Sequence, residues 1–99
     1  MTIYGGSIYF ICNQSNTTLY IGVTADLVNR LIEHKTKKIL NSFSARYNCD
    51  KLVYFEHFYR IEEAIEREKQ IKNWHRAWKN KLIEELNPNW EDISNQLYN

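Results

Sequence analysis

Very little in this chain invites a break, a staple or an anchor. Three glycines and one proline in 99 residues leave no stretch with the composition of a flexible linker. The two cysteines, Cys12 and Cys49, have no metal-type spacing, which argues against a disulfide framework or a zinc site. The first residues, Met1 to Gly6, carry no basic region and no apolar run of signal-peptide length. Nowhere does an apolar stretch approach the roughly 18 residues that a membrane span requires. A strong net charge is missing as well: 13 Lys and Arg stand against 12 Asp and Glu, for a total of +1. The absences together describe one domain over residues 1–99, soluble and cytoplasmic, in a reducing compartment and with no membrane partner.

What is present suits a folded core, with 43% apolar and 14% aromatic residues. The near-zero total also hides a strong local asymmetry. Lys35, Lys37, Lys38, Arg46 and Lys51 face a single acid, Asp50, across residues 35–51, and Arg76, Lys79 and Lys81 follow in an acid-free run over 75–82. Phosphates meet faces rather than totals, so Lys35, Lys37, Lys38, Arg46 and the adjacent Tyr47 are candidates for nucleic-acid contact. Ordinary solvated charges explain the same pattern equally well.

Two short runs rich in Ile, Tyr, Phe and Leu, Ser7–Cys12 and Thr18–Gly22, flank the turn-like Asn13-Gln14-Ser15-Asn16-Thr17. This predicts a hairpin carrying Tyr9 and Tyr20 on paired strands, with the register left open. Thr24 or Asp26 can cap a helix starting near Leu27. At about 100° per residue, Leu27, Val28, Leu31, Ile32 and Lys35 form its core stripe, with Arg30, His34, Lys37 and Lys38 on the flank. The pattern is lost from Ile39 to Asp50. Leu52–Tyr59 is then almost continuously β-favouring, which predicts a central strand covered on both sides. Helices follow over Ile61 to about Asn73 and from Trp74 or His75 to Leu86, stopped by Asn87-Pro88. The core runs from about residue 7 to residue 90, with a weakly structured tail. The expectation is an α/β (strictly α+β) sandwich, three strands with about three helices.

One acid is out of place. Ile61, Ala64, Ile65 and Ile71 mark the buried stripe of the second helix, and Glu68 falls in its middle. A buried carboxylate needs a partner, since leaving it without one costs several kcal/mol. That partner is an arginine in a structural ion pair, a hydrogen-bond network or a metal ion, unless the stripe opens onto solvent at that level. A single carboxylate completed by water and phosphate oxygens suits one divalent cation, Mg²⁺ or Mn²⁺.

Ser7-Ile8-Tyr9, Tyr20-Ile21-Gly22, Arg30, Glu33-His34 and the block Glu62 to Trp74 resemble, in order and spacing, the GIY-YIG nuclease superfamily. The segment Leu19–Leu27 with Arg30 is similar to small stand-alone bacterial members, relatives of the N-terminal nuclease domain of a DNA-repair excinuclease. The resemblance implies a three-stranded antiparallel sheet flanked by helices, and a metal-dependent endonuclease acting on DNA, with RNA left open. It implies Tyr20 as general base or relay, Tyr9 as the orienter of water or phosphate, and Arg30 as the grip on the scissile phosphate. Glu68 would hold the cation, and His34 would handle a proton or contact phosphate. Three positions depart from the family pattern: Ser7 replaces the leading glycine, Val23 stands where some relatives carry Lys or His, and the downstream asparagine has no clear counterpart among Asn73, Asn80 and Asn87. With no appended DNA-reading domain, selectivity would come from DNA shape, a homodimer or a protein partner, in repair or recombination. The rival reading is a nucleic-acid-binding or adaptor module that has lost cleavage. His57 and His75 read as structural. Trp74 and Trp78 read first as core and second as base-stacking platforms.

Overall fold

A strand covered on both faces has no reason to alternate, and the first strand shows this. In the computed structural model, which describes residues 5–36 and 47–97, β1 (Gly6–Cys12) is buried at every position. It is the middle of a three-stranded antiparallel sheet of order β2-β1-β3, with β2 spanning Leu19–Thr24 and β3 spanning Lys51–Phe58. The central strand is therefore β1, and the placing of β3 at the centre is corrected. The apolar run in β3 has a local cause. Its first half, Lys51–Tyr54, is buried, while Phe55–Phe58 grades outward along the sheet edge. Pairing with β1 jumps from Phe10↔Tyr54 to Ile11↔Leu52. That bulge lets the consecutive residues Val53 and Tyr54 join one core cluster, which no regular strand allows.

The β1–β2 turn is closed by a side chain. Asn13 Oδ1 accepts from the backbone N–H groups of Thr17 at 2.9 Å and Thr18 at 3.0 Å, while Asn16 takes the left-handed conformation at φ 60°. Both expected caps then open α1 (Leu27–Thr36): Thr24 Oγ1 accepts from Asp26 N at 3.0 Å, and Asp26 Oδ1 accepts from Asn29 N at 3.1 Å. The helix is rolled relative to the expected stripe. Leu27, Leu31 and His34 are its buried residues, whereas Ile32 is 43% exposed and Lys35 is at the surface. The stripe narrows to one i, i+4, i+7 line because a thin sheet can cover only that much of a ten-residue helix.

Two layers result. On one face α2 (Ile61–Lys72) and α3 (Arg76–Leu86) pack Ala64, Ile71 and Ile83 against Ile8, Phe10, Cys12, Val53 and Tyr54. On the other face α1 packs Leu27 and Leu31 against Tyr9, Ile11, Cys49 and Leu52. Cys12 and Cys49 are both buried free thiols. The segment after Trp90 is more ordered than its composition suggests. Ile93 N donates to Leu52 O at 2.8 Å, and Ser94–Leu97 forms a 3₁₀ turn whose Leu97, with Ile93, covers the α1 face. No described helix is long and apolar enough to cross a membrane.

Candidate active site

The register settles which faces the two tyrosines share. Tyr9 lies opposite Gly22 and Tyr20 lies opposite Ile11, so both rings project to the α1 side of the sheet. Their centroids are 6.4 Å apart. Gly22 has a steric reason to be glycine: a methyl there would run into Cζ and Oη of Tyr9. The missing side chain thus lets the Tyr9 phenol lie flat across β2.

His34 completes the cluster. The roll of α1 brings its ring to 5.7 Å from Tyr9 and 5.9 Å from Tyr20, and Nε2 lies 3.0 Å from the Tyr9 hydroxyl in a buried hydrogen bond. Burial lowers the His34 pKa, and the nearby Arg30 guanidinium lowers it further against an opposing pull from Glu33. The imidazole is therefore neutral at pH 7 and can accept a proton at one nitrogen. Tyr9 is pushed the other way. Burial raises its pKa well above the usual phenol value, with the second tyrosine adding to the rise and Arg30 opposing it. Tyr9 is thus a committed phenol rather than a phenolate. Arg30 sits one helical turn before His34, and its charge acts on both members of the pair.

Beside this cluster runs an open groove of about 500 Å³, lined by Leu19–Val23 of β2 together with Glu68 and Lys72 of α2 and Lys79 of α3. Tyr20 is half-buried on its wall, in contrast to the buried Tyr9 and His34. The anomalous carboxylate belongs here. The Glu68 side chain is 14% exposed, and Oε1 is 3.7 Å from the largely solvated Lys72 ammonium. That is a loose pair between neighbours on one helix, too weak to account for a carboxylate at this depth. Among the described residues no group of three His, Cys, Asp or Glu could hold a metal ion. A cation here would rest on Glu68 alone and complete its shell with water and phosphate oxygens, a donor set that fits Mg²⁺ or Mn²⁺ and not zinc.

The remaining sequence candidates are scattered. Lys35 is committed to the C-terminal segment, its Nζ 2.8 Å from Asp92 Oδ2 and 3.0 Å from Asp50 O. Tyr47 is 44% exposed. Lys37, Lys38 and Arg46 lie outside the described residues. Each downstream asparagine has a structural occupation: Asn73 bonds Lys69 O, Asn80 bonds Arg76, and the buried Asn87 bridges Val53 O and Glu91 O. Sequence reasoning missed the groove lysines Lys72 and Lys79. The first was signalled by its i+4 spacing from Glu68, the second by its place in the acid-free run.

Known proteins place the chain among relatives. A family model described as the GIY-YIG catalytic domain matches residues 5–82. A UPF0213 protein of Bacillus pumilus is 33% identical over 78 residues, covering 79% of this chain and 79% of that protein. One from Syntrophus aciditrophicus is 35% identical over 76 residues, covering 77% and 87%. A third, UPF0213 protein HQ_3675A of Haloquadratum walsbyi, is 34% identical over 80 residues, covering 77% and 84%. No solved structure matches.

Proposed function

The chain belongs to the GIY-YIG catalytic-domain family, and from that premise we propose that it is a divalent-metal-dependent endonuclease hydrolysing DNA phosphodiester bonds, selective for DNA structure and acting in repair or recombination. The observation that carries this reading is the groove at the β2 edge. A carboxylate, two lysines and a half-buried tyrosine meet there, backed by a neutral histidine hydrogen-bonded to a second tyrosine.

Each residue has a part that its surroundings favour. Lys72 and Lys79 draw the phosphate backbone into the groove, and Arg30 grips the scissile phosphate and stabilises charge growing on its oxygens. Tyr20, on the groove wall, orients the attacking water. The proton that this water loses ends on His34, whose pKa lies below neutral pH and whose ring touches both tyrosines. Tyr9 holds that imidazole in place and, as a phenol, passes protons without resting as an anion. Glu68 would hold Mg²⁺ or Mn²⁺, which would supply positive charge to stabilise the leaving 3′-oxygen. DNA shape, a homodimer or a protein partner supplies selectivity, and RNA stays open as a substrate.

The test is cleavage of supercoiled plasmid and branched DNA in Mg²⁺ and Mn²⁺ by wild type and Glu68→Gln. Metal-dependent cutting that the variant loses, with DNA binding retained, supports the nuclease. Folded wild type that binds DNA and cuts nothing would instead make it a binding or adaptor module.

A further inference from the structure

Between Glu68 and Glu84 the chain carries five cations (Lys69, Lys72, Arg76, Lys79 and Lys81) and no acid. Two tryptophans sit inside that run. Trp74 is partly buried and packs against the core, as its spacing suggested, but Trp78 is not a core residue: it is 58% exposed. The exposed Trp78 indole is held by two neighbouring rings. The Trp74 ring meets it edge-on at 6.1 Å with an interplanar angle of 75°, and the His75 ring does so at 5.9 Å and 87°. Trp74 is fixed in turn by the Arg67 guanidinium, 5.4 Å above its ring. Arg67 is anchored by a two-pronged bond to Glu56 at 3.2 and 3.3 Å. A second groove, of about 320 Å³, opens along these rings and is lined by Trp74, Trp78, Lys81, Leu82 and Glu85.

Two features decide what fits it. The first is charge: the groove itself is lined by one cation and one acid, Lys81 and Glu85, but the helix that carries Trp78 also carries Arg76, Lys79 and Lys81 with no acid before Glu84, which suits a ligand that is flat and polyanionic at once. A protein partner or a second copy would need the apolar part without this cationic excess. The second is continuity. The same helix, α3, puts Lys79 into the Glu68 groove and Trp78 with Lys81 into the second one, so the two grooves share one wall element.

We infer that the Trp74–Trp78 groove is a stacking site for an unpaired nucleobase, flanking the scissile phosphate and selecting DNA in which a single strand departs from a duplex. The inference rests on the nuclease reading and names the feature of DNA structure that it would select. Pre-fixing the Trp78 ring between two neighbours, Trp74 and His75, lowers the ordering entropy of binding.

The experiment measures, by fluorescence anisotropy, the affinities of the full chain for a blunt DNA duplex and for the same duplex bearing an unpaired thymidine tail. Wild type, Trp78→Ala and Trp78→Phe are compared in calcium buffer. Stacking of one base is worth roughly 1–3 kcal/mol, so Trp78→Ala should shrink the tailed-over-blunt preference on the order of tenfold, with Trp78→Phe restoring much of it. An unchanged ratio in the folded variant overturns the stacking site and leaves the nuclease reading standing. If wild type shows no preference for the tail, the inference also falls. If wild type binds neither DNA, the nuclease reading falls and takes the inference with it. Concentration-dependent self-association abolished by Trp78→Ala would reassign the patch to a copy of this chain.

Discussion

The hydroxyl of Tyr9 lies 3.0 Å from Nε2 of His34, a buried bond between residues 25 positions apart that ties the central strand to α1. Neither partner suits the site alone. Burial favours the phenol of Tyr9 and the uncharged form of His34, so the pair rests as two neutral groups joined by one hydrogen bond. Tyr9→Phe keeps the ring over Gly22 and removes the hydrogen bond. With the imidazole still buried, stability should fall by about 1–3 kcal/mol, read as a shift in urea midpoint, and turnover should drop by at least tenfold. A double-mutant cycle with His34→Ala should show coupling of more than about 0.5 kcal/mol. Additive losses would mean that the contact does no joint work.

The depressed His34 pKa fixes the sign of a pH effect. The unfolded chain protonates this histidine near its usual value of about 6.5, while the folded chain takes up the proton only at lower pH. The unfolded state therefore binds more protons between those two values, and stability falls as pH drops through about 6.5 toward the folded-state pKa. Urea titrations at pH 7.5 and 5.5 should show this fall, and His34→Gln should flatten it. An undiminished fall in that variant would assign the effect to another group.

The hairpin, the three helices and the Glu68 anomaly were readable in the sequence, because each rests on a local pattern. The roll of α1 was not readable. Ile32 and Lys35 fit a helical stripe as well as His34 does, and only the narrow contact with the sheet chooses among them. Strand order was hidden for a related reason: β3 is apolar on both faces because Trp90 and Ile93 fold back over its first half. The exposure of Trp78 was also beyond reach, since spacing of four reads as core until Arg67 and His75 are seen to prop the rings at the surface.

Gly22 makes a sharper test than any charged residue, because its replacement adds atoms and removes no chemistry. A methyl at this position meets Cζ and Oη of Tyr9, part of a fixed ring and no flexible chain end. Relief requires Tyr9 to tilt, which stretches its bond to His34. Gly22→Ala should therefore destabilise by about 1–3 kcal/mol and reduce turnover with little change in DNA affinity. Tyr9→Phe should add little to the activity loss in that background. A fully active Gly22→Ala would show that the Tyr9 position does not matter to the chemistry.

Asp92 and Lys35 are bonded at 2.8 Å, yet the two should respond very differently to removal. Lys35 is about a third exposed, and the ion pair it makes is the surface kind, worth under about 1 kcal/mol. The carboxylate does more than pair with it. Asp92 Oδ1 also accepts from the backbone N–H of Leu52, a fully buried residue, at 3.3 Å, and from Ser94 N at 3.0 Å. Asp92→Ala leaves those donors without this acceptor at the point where the C-terminal segment crosses β3, and should cost about 1–3 kcal/mol. Lys35→Met should cost less than half as much. Partial burial raises the Asp92 pKa, but the bonds from Lys35 and Ser94 outweigh that and set it below the usual carboxylate value. The asymmetry should consequently vanish as the pH falls through the folded-state pKa and Asp92 protonates. Equal losses for the two variants at pH 7 would mean that the ammonium, rather than the pair of backbone donors, is what holds the C-terminal turn against the sheet.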